Sequence, residues 1–151
     1  MKTLQKLNFP EFELKIKNDD RQTFVFDSIR KKWLVLTPEE WVRQHLIHYL
    51  VSYKNYPPAL ISLEAGLKYH SLAKRTDVLV YDKNARPYLL VECKSAEVTI
   101  NQKVVEQVSM YNKSVEAPFL CVTNGIKHYC WAVHNASGNF EMLNQIPEFG
   151  S

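Results

Sequence analysis

Apolar and polar positions change their period several times along the chain, and each change marks an element. Phe12, Leu14 and Ile16 alternate with Glu13, Lys15 and Lys17. That period of two predicts a half-buried strand. Thr23–Phe26 and Trp33–Leu36 are two further β-prone runs flanking the turn-like Asp27-Ser28-Ile29-Arg30-Lys31, which predicts a hairpin. The period then lengthens. Thr37-Pro38-Glu39-Glu40 combines an N-cap threonine, proline at the first helical position and glutamate three residues after the cap. Val42, Leu46, Tyr49, Leu50 and Tyr53 follow at helical spacing and predict a core-facing stripe. This helix has to end before Tyr56-Pro57-Pro58, because a residue preceding proline disfavours the α region.

Strands are predicted next over Leu60–Leu67, Thr76–Tyr81 and Tyr88–Lys94, the last two joined by the turn-like stretch Asp82–Pro87. A second helix is predicted from about Ile100 to Asn112, with Val104, Val108 and Tyr111 on one side. Phe119–Thr123 and Ile126–Val133 read as a strand pair around a two-residue Asn124-Gly125 turn. The tail from Phe140 is expected to add a short edge strand and then fray. The order of strands, helix, three strands, helix and hairpin predicts an α/β (α+β mixed) fold, a central mixed sheet flanked by helices. It also divides the chain into a β-rich extension over residues 1–36 and a core over residues 37–151.

Composition narrows the picture. The chain has 151 residues, 46% apolar and 23% charged, which suits one globular domain with its own core. The net charge of +3 permits a nucleic-acid partner without requiring one. Cys93, Cys121 and Cys130 are odd in number and form no CxxC pair, as expected of core thiols in a reducing compartment. No signal-peptide pattern and no long apolar span occurs in the sequence, so a cytoplasmic location away from membranes is expected. No GxxxxGK[ST] loop is present, which excludes ATP hydrolysis of that kind by this chain.

One constellation carries chemistry. A turn centred on Asn84-Ala85 would put Tyr81 opposite Tyr88, Leu79 opposite Leu90, and Asp77 opposite Glu92. Opposed carboxylates with Cβ atoms roughly 4.5–5.5 Å apart repel unless neutralised. A divalent cation with a taste for hard oxygen, Mg²⁺ or Mn²⁺, is one natural solution. Lys94, two residues beyond Glu92, shares its face, while Cys93 points away. Two carboxylates and an ammonium are the parts needed to activate a water and stabilise charge in phosphodiester hydrolysis. Lys74-Arg75, just before Asp77, are candidates for a phosphate contact with DNA. The ExK pattern alone is weak: Glu13-Leu14-Lys15 repeats it on what reads as an exposed strand face. His45 and His48 read as ordinary helix residues, and Arg30-Lys31-Lys32 as a solvated turn.

Asp77 followed by Glu92-Cys93-Lys94 resembles the D…(D/E)xK pattern of the PD-(D/E)xK nuclease superfamily. Thr76 stands where the pattern's name has proline. The resemblance is nearest to the N-terminal nuclease domain of type I restriction enzyme R subunits. It extends to Pro38–Gln44, Arg75–Tyr81, Gln107 with Tyr111, and Thr123-Asn124-Gly125. The resemblance implies a restriction-endonuclease-like core and a Mg²⁺- or Mn²⁺-dependent DNA endonuclease. It implies that Asp77 and Glu92 hold the metal and that Lys94 assists the water. It places Glu40 as an accessory acidic residue, Glu64 as a further ligand, and Gln107 and Tyr111 as site support. A capping box also accounts for Glu40, and a polar helix rim for Gln107 and Tyr111. R subunits carry an ATP-driven motor that this sequence lacks. The implied partners are therefore DNA, a separate motor or specificity subunit, or a second copy of the chain. The alternatives are a catalytically weak module of the same fold that binds DNA or a partner subunit, and a purely structural role.

Overall fold

The computed structural model describes residues 4–63, 78–134 and 136–150. The first strands are β1 (Ile16–Asp19), β2 (Gln22–Asp27) and β3 (Lys32–Val35), an antiparallel sheet in that order. The hairpin expected around Asp27–Lys31 is present between β2 and β3. The strand expected from Phe12 is not: regular pairing starts at Ile16, opposite Val25. Phe12 has another use, stacking on His48 with ring centroids 4.1 Å apart and meeting His45 edge-on.

Helix α1 (Pro38–Tyr53) begins as its sequence dictates: the Thr37 hydroxyl accepts the Glu40 N–H at 3.0 Å, and Pro38 opens the first turn. Val42, Leu46 and Leu50 are fully buried. Tyr53 departs from the expected stripe at 55% exposure. It stands in the last turn and spends its ring on Tyr49, 5.7 Å away, rather than on the core. Asn55, with φ 61°, then turns the chain out of the helix.

The main sheet has six strands in sequential order: β4 (Ile61–Ser62), β5 (Val78–Tyr81), β6 (Pro87–Cys93), β7 (Phe119–Thr123), β8 (His128–His134) and β9 (Asn139–Leu143). Every neighbouring pair is antiparallel except β6 and β7. Parallel neighbours need a crossover, and α2 (Gln102–Val115) supplies it. Two α-helices, an antiparallel three-stranded sheet and a mixed six-stranded sheet make this an α+β fold, as expected.

Several boundaries differ from the sequence reading. Leu60 closes a short 3-10 turn (Pro58–Leu60), so the strand expected from Leu60 starts at Ile61; residues 64–67 of that expectation lie outside the described residues. Leu79 faces Leu90 as expected, but Tyr81 faces Pro87 rather than Tyr88. The Asp82 carboxylate draws in the N–H groups of Asn84 and Arg86, and this turn shifts the register between Val80 and Tyr81. Asn124-Gly125 is not a two-residue hairpin turn, because Thr123 pairs with His128. The Asn124 side chain accepts the N–H groups of Ile126 and Lys127 and builds a four-residue loop, which delays the return strand from Ile126 to His128. Helix α2 starts after the Asn101 cap and runs three residues past Asn112, to Val115. Glu116, at φ 60°, ends it, and the Asn112 amide bonds both backbone groups of Ala117. The tail forms β9 but does not fray afterwards: Ile146 is buried, the Phe149 N–H bonds the Lys54 carbonyl, and the Tyr56 hydroxyl donates to Pro147.

The main sheet is covered on both faces. Leu46 and Leu50 of α1 pack with Val78, Val80, Leu89, Val91 and Cys93. Val108 and Val115 of α2 pack with Leu79, Leu90, Leu120, Val122 and Trp131. Cys93, Cys121 and Cys130 are all buried and no disulfide joins them. No described helix is long and apolar enough to cross a membrane.

The contrast within α1 is testable by urea denaturation. Leu46→Ala empties a fully buried site and should lower stability by about 2–5 kcal/mol. Tyr53→Ala, at an exposed position, should change it by no more than about 0.5 kcal/mol.

Candidate active site

Strand β6 is apolar on both sides until its last turn of the pleat. Leu89, Val91 and Cys93 point to the α1 side, and Leu90 to the α2 side. Glu92 is next on the α2 side, beyond Leu90 and in register with Val122 of β7. It is therefore the first polar side chain past an apolar floor. The Lys94 N–H continues the β6–β7 ladder by donating to the Thr123 carbonyl at 2.8 Å. That fixes the backbone of Lys94 although it lies outside the strand. Its Nζ is 3.3 Å from Glu92 Oε1, with the two side chains 24% and 15% exposed. The shared face of Glu92 and Lys94, and the opposite direction of Cys93, are thus as the strand period predicts.

The loops around this end are pinned. The Asn124 amide donates to the Val98 carbonyl at 2.8 Å, holding the connection from β6 to α2. Gly125, at φ +86°, permits a close approach: a Cβ there would lie 2.8 Å from Leu7 Cδ2 and 3.2 Å from Val42 Cγ2. The first turns of α1 therefore stand at the same end of the sheet as the ends of β6 and β7. On α2, Tyr111 is half-buried and packs against the core on that side, and Gln107 is exposed one turn earlier.

Glu40 is buried in the first turn of α1. Its Oε1 accepts from Arg30 at 3.4 Å and from the Gln44 amide at 3.2 Å, and its Oε2 pairs with Arg43. Asp27, fully buried, accepts from Arg30 Nη2 at 3.0 Å, from Arg30 Nε at 3.1 Å and from Gln44 at 3.2 Å. The group binds the β2–β3 hairpin to α1. It corrects the reading of Arg30 as part of a solvated turn: only Lys31 and Lys32 are exposed there. Charge pairing explains the difference, since Asp27 and Glu40 are buried and their oxygens need donors. The sequence alone assigns Asp27 and Arg30 no such role, because their nearness to Glu40 comes from the packing of hairpin on helix.

Asp77, Glu64, Lys74 and Arg75 lie outside the described residues. Among the described residues, no group of three or more His, Cys, Asp or Glu side chains is arranged to hold a metal. The described structure therefore brings Glu92 and Lys94 together, sets Glu40 among arginines, and places Gln107 and Tyr111 on α2.

His128 stands on the other face of the sheet: it pairs with Thr123, which pairs with Cys93 on the α1 side, and its ring meets Phe9 with centroids 4.4 Å apart. Its Nε2 is 2.9 Å from the Asn8 carbonyl, which requires an N–H there, and its Nδ1 is 2.6 Å from the Thr123 hydroxyl. Burial lowers its pKa, and the bond to Asn8 only partly offsets this. Burial likewise lowers His45 and His48.

An α+β domain with a doubly covered strand ending in Glu92-Cys93, followed by Lys94, is the class that fold and site define. The chain belongs to the family of the type I restriction enzyme R protein N terminus, whose pattern matches residues 38–147. Among curated proteins, none matches the chain.

The imidazoles give a pH prediction. A histidine whose pKa falls on folding binds its proton better in the unfolded chain, so stability is complete above about pH 6.5 and declines as the pH drops through the folded values. The melting temperature should fall between pH 7.5 and pH 5. His128→Gln should reduce that fall, and an unchanged pH slope would refute the assignment.

Proposed function

We propose that this chain is a divalent-metal-dependent deoxyribonuclease domain with a restriction-endonuclease-like core of the PD-(D/E)xK type. The observation that carries the reading is the Glu92–Lys94 pair at the end of β6, in a chain whose family is the N terminus of a restriction enzyme R protein. Family membership ties the chain to restriction–modification and to nuclease-related work. The metal, its ligands and the catalytic roles are inferred.

Glu92 suits Mg²⁺ or Mn²⁺: it is a hard oxygen donor at the solvent edge of an apolar floor. Lys94 neutralises it at 3.3 Å, as a cation would. Asp77 is the proposed second ligand. The described register ends at Val78 opposite Val91, and Asp77 and Glu92 are the flanking residues in sequence. When bound, the metal would polarise a phosphoryl oxygen and lower the pKa of a water. Lys94 would orient that water and stabilise the negative charge that develops in the transition state. Glu64 is a proposed further ligand. Lys74 and Arg75 would meet the DNA backbone, and Gln107 and Tyr111 would support the site from α2. Residues 37–151 would form the nuclease core and 1–36 an extension packed on it. A cytoplasmic location belongs to the same reading. So does a motor or specificity subunit, or a second copy of the chain, as partner.

A second reading, a catalytically weak module that binds DNA or a partner subunit, is favoured by one observation. Both Glu40 oxygens are already engaged by Arg30, Arg43 and Gln44, so Glu40 has little left for a metal.

Plasmid cleavage in Mg²⁺ or Mn²⁺ separates the two. The nuclease reading predicts cleavage that drops by about 10² or more in Lys94→Ala, the scale of removing one group that stabilises the transition state, with an unchanged melting curve. Cleavage that survives Lys94→Ala would contradict it, and absent cleavage with tight DNA binding would favour the second reading.

A further inference from the structure

The sheet β1–β2–β3 precedes residues 38–147, the span that the family pattern matches, and its two faces differ in kind. On the inner face Val25 and Asp27 are completely buried. The outer face follows from the register. Lys17 lies opposite Phe24, Phe24 opposite Val35, and Phe26 opposite Trp33. The Phe26 N–H donates to the Lys15 carbonyl at 3.0 Å, which sets Lys15 beside Phe26. Alternation therefore gathers two lysines, three aromatic rings and Val35 on one side of three short strands. Trp33 is 38% and Val35 46% exposed. The lysines lie over the rings. Lys17 Nζ is 4.5 Å from the Trp33 centroid and 5.8 Å from that of Phe24, and Lys15 Nζ is 5.4 Å from that of Phe26. Asp19, at the far end of β1, is the carboxylate that the alternation adds to this side.

The geometry points to this face as a binding surface for an unpaired strand of DNA. Aromatic rings offer stacking planes to any base, and the ammonium groups that rest over them here would turn outward to the phosphates. That combination is how sheets hold single strands without reading sequence. The buried contacts of this sheet come from Val25 and Asp27 on its other face. An acidic or purely apolar partner would leave either the rings or the lysines without a counterpart, whereas a nucleic-acid strand uses both. Position supports the assignment. The β2–β3 hairpin is fastened to α1 through Arg30, which bridges Asp27 at 3.0 Å and Glu40 at 3.4 Å, and α1 starts at the end of the main sheet where Glu92 and Lys94 stand. The sheet is thus a fixed arm beside the candidate active site. The inference shares with the proposed function the idea that DNA is the ligand, but it does not depend on cleavage.

The test is fluorescence anisotropy of a labelled single-stranded oligonucleotide with the full chain in EDTA, where no metal-dependent cleavage occurs. Plasmid cleavage in Mg²⁺ is measured on the same preparations. Trp33→Ala should weaken binding about ten-fold, as loss of one stacking plane does, and Trp33→Phe should restore most of it. Lys15→Glu with Lys17→Glu should weaken it further and flatten the salt dependence by roughly 0.7 in log–log slope for each lysine removed. Circular dichroism checks that the variants fold. Wild-type affinity in folded Trp33→Ala and Lys15→Glu/Lys17→Glu variants would overturn the proposal and leave the nuclease reading standing. Binding that these variants lose, with no cleavage by any preparation, would uphold the proposal and count against the nuclease reading. Self-association of the wild type, abolished by the same variants and without oligonucleotide binding, would assign the face to a second copy and overturn it.

Discussion

The arrangement depends on β6 being covered on both faces and then running out of cover. Leu89, Val91 and Cys93 face α1, and Leu90 faces α2. A one-residue slip would send all of them to the wrong side, so the register is strongly determined. Glu92 inherits that precision. It is the first position past Leu90 on its face, and its backbone is paired with Val122 of β7. Lys94 inherits it once more through the ladder bond to Thr123. The ion pair at this end is a consequence of a rigid apolar strand, which is how a scaffold holds charged groups within the tolerance chemistry requires.

The parallel pairing of β6 with β7 is the second constraint. It forces a crossover, places α2 over the face that Glu92 shares, and sets the ends of both strands side by side. Gly125 then lets Leu7 and Val42 close against the loop that follows β7. The start of α1 is brought to the same end of the molecule from the opposite face. Glu40 arrives there already engaged by Arg30 and Arg43, so its carboxylate joins the three-stranded sheet to the helix.

Much of this was legible in the residues. The Thr37-Pro38 start, the buried run of β6, the common face of Glu92 and Lys94, and the fold class all follow from local periodicity and capping. What was not legible came from side chains competing for partners, both distant and local. Phe12 leaves its expected strand for the His48 ring. Asn124 satisfies two backbone N–H groups and lengthens a turn that its Asn-Gly pair alone would shorten. Asp82 does the same before β6 and moves Tyr81 to Pro87. The Asp27–Arg30–Glu40 bridge joins residues whose nearness no periodicity encodes. The expected places of Asp77, Glu64, Lys74 and Arg75 lie outside the described residues, so their part in the site rests on sequence.

The central claim is that the end of β6 holds a divalent cation through Glu92. Calorimetric titration of Mn²⁺ into the full chain without DNA measures this directly, beside Glu92→Gln, which keeps the shape and removes the charge. The account predicts a saturable site in the wild type, weakened at least ten-fold in Glu92→Gln at an unchanged melting temperature. Equal Mn²⁺ affinity in the two proteins would contradict it.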